Sequence, residues 1–171
     1  MIPMHLLYRL PATLIALLLN FTPAKSGNIE YHGSAFRNTC FAFEPTLYTA
    51  NATVTALEFV AAGTTLLFPD NDPSCARPNQ TVSVDLCRVA LNISTSSRSG
   101  VIFEGWFPEN WAGRFLATGN GGIDGCIKYE DVNYGTENGF STVGSNNGHN
   151  GTGGSAFYHS DGVIEDYVWR S

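Results

Sequence analysis

The chain has no G-x-S-x-G motif in its 171 residues, and so lacks the elbow on which sheet-based serine hydrolases present their nucleophile. Gly139-Phe140-Ser141-Thr142-Val143 and Gly153-Gly154-Ser155-Ala156-Phe157 come nearest, and each misses the second glycine. There is no CxxC pair, and His32, His149 and His159 stand at no ligand-like spacing from the cysteines, which argues against zinc. Asp70, Asp72 and Asp85 lack calcium-loop spacing, so no metal or other cofactor is expected in this chain. Positive charge is scarce: nine Lys and Arg, scattered singly, against fifteen Asp and Glu. Binding a polyanion needs clustered cations that release counterions, which excludes nucleic acid and anionic membrane as partners. The apolar run Leu14–Leu19 falls far short of the ~20 residues of a membrane span.

What is present begins with an export signal. Arg9 precedes the LIALLL run, and Thr22 and Ala24 occupy the −3 and −1 positions of a small-residue cleavage site. We read residues 1–24 as a secretory signal peptide, residues 25–171 as mature chain, and the protein as extracellular. Loss of Arg9 takes the formal net charge from −6 to −7. Asn51, Asn79, Asn92 and Asn150 each open an N-x-[ST] sequon and are the expected glycosylation sites. Cys40, Cys75, Cys87 and Cys126 form an even set, which in an oxidising compartment implies two disulfides. The residues leave all three pairings open.

Along the chain, Lys25–Gly33 reads as a loose leader. Val54–Val60 and Thr64–Phe68 are strand runs, and Pro69–Gln80 is a proline-rich loop. Thr81–Ser94 is a longer run whose apolar phase shifts once, as at a bulge or bend. Val101–Phe107 alternates again and Arg114–Thr118 is a short strand; early strands at such spacing favour antiparallel pairing. Gly139–Gly144 reads as a buried strand inside a Gly/Asn/Ser-rich segment. Val163, Ile164, Tyr167 and Val168 lie on a helical stripe that ends at Ser171 without a stop signal, as if the chain were cut short.

The most informative segment is residues 111–126, WAGRFLATGNGGIDGC, an apolar strand emptying into a turn with glycines at 119, 121 and 122. Glycine alone lets another atom approach the backbone so closely, and in strand–turn–helix hydrolases such a turn can offer an N–H to a developing oxyanion. Among neighbouring polar residues, His149 reads as an exposed or hydrogen-bonded loop histidine rather than a general base. Asp124 reads as a turn cap. Trp106, Phe107 and Trp111 read as core aromatics rather than a sugar-stacking platform.

RFLATGNGG after Trp111-Ala112-Gly113, then FSTVGSNNGHNG, then DYVWRS in a helix resemble the N-terminal part of the secreted tannase and feruloyl esterase family. The resemblance runs over about Asn38–Ser171, the cysteine spacing included. It implies the N-terminal part of an α/β-hydrolase-like fold, β-rich here, with the nucleophile elbow and a large inserted lid domain lying outside the chain. It implies cleavage of phenolic-acid esters, galloyl or feruloyl, including those on plant cell-wall polysaccharide. The family's serine, in a Gly-Cys-Ser-x-Gly-Gly elbow, and its Asp and His fall beyond Ser171; its calcium site belongs to the lid. Carried over residue by residue, Gly121 and Gly122 become the oxyanion donors, Cys40 pairs with Cys87, and Cys75 with Cys126. His149 falls in the family's Gly-His loop and is not the triad histidine; Asn146 and Asn147 depart from the acidic residue often found there. The competing reading is a small secreted, disulfide-stapled β-rich carbohydrate-binding module that uses Trp106 and Trp111.

Overall fold

The computed structural model describes residues 32–158 and 161–164. The expected signal peptide at 1–24 and most of the expected C-terminal helix lie outside the described residues; positions 161–164 are helical.

Alternating apolar residues build a five-stranded sheet from β1 (Ala52–Val60), β4 (Leu86–Ser94), β5 (Gly100–Pro108), β6 (Arg114–Ala117) and β7 (Phe140–Ser145), in the order β1-β4-β5-β7-β6. β2 (Thr65–Leu67) and β3 (Asn79–Thr81) form a separate antiparallel pair. A strand has two faces, and β4 uses both. Cys87, Val89 and Leu91 point into one apolar cluster with Phe36, Leu57, Phe59, Phe103 and Phe107. Leu86 points the other way, into a second cluster with Val60, Phe68, Val82, Trp106, Tyr129 and Val132. Helix α1 (His32–Phe41) covers the first face and is bonded to it through Cys40–Cys87. Helix α2 (Tyr129–Glu137) covers the second, burying Tyr129, Val132, Gly135 and Thr136.

Three departures from the sequence expectations have local causes. The Thr81–Ser94 run is two strands, because residues 82–85 turn: Val82 drops fully into the core, and the Asp85 carboxylate takes the Ala62 N–H at 2.8 Å. The sheet's irregularity lies instead in β1, between Val54 and Ala56. Helix α1 begins where a loose leader was expected.

Among the described residues, one carboxylate lies in the core. Glu104, 1% exposed, lies in the same strand phase as Trp106, whose Nε1–H donates to it at 2.8 Å. Arg88 chelates its carboxylate from β4 through Nε and Nη2 and reaches Glu58 through Nη1 at 2.8 Å. Desolvation opposes charge on Arg88, but the Glu104 and Glu58 carboxylates prevail and hold its proton more tightly than usual.

β6, α2 and β7 form a βαβ unit. β6 and β7 run parallel, Arg114 beside Phe140 through Ala117 beside Val143, whereas β7 is antiparallel to β5. Both parallel strands therefore end at one edge, and the loops leaving them lie side by side. Gly135 allows the helix this close: a Cβ there would stand 2.5 Å from Thr142 Oγ1 and 2.8 Å from Leu116 Cδ2.

Candidate functional site

In open α/β sheets the ligand crevice lies outside the carboxyl ends of the strands, where chain direction changes. Here that place is the shared end of β6 and β7. Sheet pairing stops at Thr118, whose N–H donates to the Val143 carbonyl at 2.8 Å and whose hydroxyl donates to the same oxygen at 3.1 Å. The glycine turn follows at once. No protein acceptor among the described residues meets the Gly119 or Gly121 N–H. A Cβ built at Gly119, Gly121 or Gly122 would have nothing within 4 Å, and Gly122 holds φ +60°, the left-handed region glycine enters without cost. The turn is exposed, and no neighbouring side chain packs over the Cα positions of its three glycines.

Four contacts fix its course. Asn120 Nδ2 donates to the Ser145 carbonyl at 2.9 Å, tying the turn to the end of β7. The Asp124 N–H returns to the Gly121 carbonyl at 3.1 Å, and the Asp124 carboxylate caps the Cys126 N–H at 2.8 Å, the turn-capping role its position suggested. Cys126 is bonded to Cys75. The cysteines thus pair Cys40 with Cys87 and Cys75 with Cys126, the pairing the family resemblance implies.

A groove of about 400 Å³ opens beside the turn, lined by Phe103, Ala117, Gly119, Asn120, Val143 and Asn147, among others. Gly119 and Asn120 form its wall on the turn side; Gly121 and Gly122 lie just past it. A second cavity, of about 300 Å³, sits on the α2 face over Arg88, Glu104 and Tyr129. Burial, with the Glu104 carboxylate adding to it, pushes the Tyr129 phenol up, so it stays protonated there.

The remaining candidate residues fall into place individually. His149 is 4% exposed, with Nε2 2.9 Å from the Ile123 carbonyl, so it is a buried, hydrogen-bonded loop residue. Ser141 lies within β7 and Ser155 in an exposed helical turn at Gly154–Phe157. Asp72 caps Ser74 and Asp85 caps Ala62; among the described residues no three His, Cys, Asp or Glu cluster as metal ligands. Asn51, Asn79, Asn92 and Asn150 are all exposed. Trp106 is fully buried, while Trp111 is 58% exposed with its N–H donated to the Arg114 carbonyl at 2.7 Å. The two tryptophans therefore form no common platform, and the sugar-binding reading built on them fails for want of an accessible Trp106.

Sequence reasoning missed Arg88 and Glu104. The signal was available: each is a charged residue in the core-facing phase of an otherwise apolar strand, and β4–β5 pairing sets Arg88 directly opposite Trp106.

The described residues form a mixed α/β unit, rich in strand, whose last βαβ element ends in two glycine-rich loops. Sequence comparison gives 59% identity over 139 residues with "Probable feruloyl esterase B-2" of Aspergillus flavus, covering 81% of this chain and 27% of that protein. "Feruloyl esterase C" of Talaromyces stipitatus is 51% identical over 136 residues, covering 80% and 26%. Among solved structures, feruloyl esterase B from Aspergillus oryzae superposes with a TM-score of 0.72 at 43% identity, over 79% of this chain and 27% of that one. No family model matches. The chain is thus similar over about four fifths of its length to proteins named feruloyl esterase, and spans about a quarter of the length of these curated relatives.

Proposed function

We propose that this chain is the N-terminal portion of a secreted carboxylic ester hydrolase that cleaves phenolic-acid esters by a serine mechanism. The observation that carries the reading is the uncovered glycine turn at the carboxyl end of β6, beside a groove and next to the loop that follows β7. On this reading a serine in polypeptide beyond Ser171 attacks the ester carbonyl, and a histidine from the same region takes and returns the proton. Amides of the turn, Gly121 and Gly122 foremost, donate to the oxygen as it becomes an oxyanion. That the relatives are named feruloyl esterase supports feruloyl rather than galloyl esters as the substrates of this reading. Secretion rests on the sequence of residues 1–24, and glycosylation on four exposed sequon asparagines.

The test is ester hydrolysis by the full-length protein containing this chain, with methyl ferulate and methyl gallate as alternative substrates. We expect turnover of methyl ferulate that a serine-reactive inhibitor abolishes, and none from purified residues 25–171. Inhibitor-sensitive turnover by residues 25–171 alone, or none by the full-length protein, refutes the reading.

A further inference from the structure

We propose that His149 is a positioning residue: its Nε2–H, donated to the Ile123 carbonyl, holds the glycine turn in the conformation that presents its amides. The inference deepens the esterase reading and rests on it for its catalytic consequence.

The Ile123 oxygen can only accept, so at 2.9 Å the ring nitrogen facing it carries the hydrogen. His149 is 4% exposed, and its ring packs against Phe157 at 4.7 Å between centroids. A side chain so enclosed acts through its neighbours rather than on a substrate. Its principal neighbour is the turn. A Cβ at Gly125 would lie 2.4 Å from the His149 carbonyl oxygen and 2.7 Å from ring Cδ2, so only glycine lets the two segments approach this far. The Gly125 N–H also crosses to the Gly151 carbonyl at 3.0 Å, which gives the two loops a second joint two residues beyond the first.

The loop that carries His149 is itself anchored. Asn146 and Ile102 of β5 exchange bonds: the Asn146 N–H donates to the Ile102 carbonyl at 3.1 Å, and the Ile102 N–H donates to Asn146 Oδ1 at 2.8 Å. Asn146 Oδ1 also accepts the Gly148 N–H at 3.2 Å, and the His149 N–H returns to the Asn146 carbonyl at 3.1 Å. Its Nδ2 donates to Asn150 Oδ1 at 3.1 Å, a bond a carboxylate at this position could not make. Rigidity thus passes from the central strand β5 through Asn146 to the imidazole, and from the imidazole to Ile123. Ile123 directly follows Gly122, and the Asp124 N–H closes on Gly121. Fixing the Ile123 carbonyl fixes the downstream side of the Gly121-Gly122 peptide.

The test compares His149→Leu, which removes the donor, with His149→Gln, which keeps an N–H near the same place, in the full-length protein. One readout is hydrogen exchange of the peptide carrying the Asp124, Gly125 and Cys126 amides. The other is the split between kcat and KM on methyl ferulate. We expect His149→Leu to speed exchange of that peptide at least about tenfold and to lower kcat by about 10–100-fold with little change in KM. That is somewhat less than the roughly 10²–10³ lost with a whole oxyanion donor. His149→Gln should recover most of both. Unchanged exchange in a folded Leu variant overturns the proposal, as does an equal loss in both variants. Should the Leu variant fail to fold, His149→Asn, whose amide stops short of Ile123, takes its place with the same expectations. His149-dependent exchange in a protein that hydrolyses no ester supports the hold on the turn and refutes the esterase reading instead.

Discussion

The buried ion pair between β4 and β5 permits a prediction whose sign depends on which partner is removed. Glu104 is 1% exposed and receives three donors: Arg88 Nε, Arg88 Nη2 at 3.3 Å and the Trp106 indole at 2.8 Å. Arg88 also lies 5.4 Å from the centre of the Phe68 ring and bonds Glu58, whose side chain is 44% exposed. Arg88→Met fills the space but leaves a desolvated carboxylate with one donor; breaking a buried pair in this way costs about 3–5 kcal/mol. Arg88→Met with Glu104→Leu replaces both charges by apolar groups of similar volume, which is often neutral. The residual cost is then one buried indole N–H without an acceptor, about 1–3 kcal/mol. The double variant should therefore be more stable than the single one by about 2 kcal/mol. Urea unfolding of the full-length protein reads this as a midpoint that falls steeply for Arg88→Met and partly recovers in the double variant, with little change in slope. A double variant no more stable than Arg88→Met, or an Arg88→Met variant within about 1 kcal/mol of the parent, would show that the carboxylate is not desolvated as described.

Gly135→Ala sets two effects of opposite sign against each other. Helix propensity favours alanine by up to about 1 kcal/mol, but the added methyl would lie 2.5 Å from Thr142 Oγ1, and overpacking costs about 1–3 kcal/mol. We expect a net loss in calorimetry, and a gain would refute the close approach of α2 to β7. Replacing Cys75 and Cys126 by serine opens a bridge spanning 51 residues and should cost about 4 kcal/mol of loop-closure entropy, visible as a lowered melting temperature; no change would mean the loop is held without it. Acid should loosen two tethers. The Arg77 guanidinium holds the Glu130 carboxyl below its usual range, and the Ser74 hydroxyl and N–H do the same for Asp72. For a depressed carboxyl the stabilisation is complete above the ordinary pKa, near ~4, and is lost as pH falls through the folded value. The melting temperature should therefore drop more steeply below about pH 4 in the parent than in Glu130→Gln, and parallel curves would refute the pairing.

Most of the strands are legible in sequence because they are β-leaning runs bounded by turn formers. β1, β2, β5, β6 and β7 fall within a residue or two of those runs. The helices are less legible, for a physical reason. The buried face of α2 is Tyr129, Val132, Gly135 and Thr136, so two of its four contact positions are residues that usually signal turns or strands. They are there because β7 lies too close for anything larger at Gly135. Helix α1 is polar along most of its length and reaches the core through Phe36 and the bonded Cys40, which leaves little periodicity to read. The break at residues 82–85 has the same character: Val82, Val84 and Leu86 in one phase and Val89, Leu91 and Ile93 in the other look like one bulged strand until the core is known to accept Val82 whole.

The glycine turn was visible as a run of residues, and Asp124 as its cap, but most of what gives it a defined shape was not, because apart from the Asp124 contacts its restraints are long-range. Asn120 reaches Ser145, His149 reaches Ile123, Cys126 reaches Cys75, and the Thr152 N–H is held at 3.0 Å by Ser74, itself capped by Asp72. Each of these partners lies within the described residues. A site that stabilises a developing oxyanion works because its donors are already oriented when charge appears, so that no reorganisation is needed at that moment. Three glycines in a row of four would, left alone, lose more entropy on ordering than any other residues. The tethers offset that cost in advance by holding the flanks of the turn, Asn120 on one side and Ile123 to Cys126 on the other, while no acceptor among the described residues takes the Gly119 or Gly121 N–H. On the esterase reading, the orientation of the donors is thus a property of this chain's own loops, set before any nucleophile arrives.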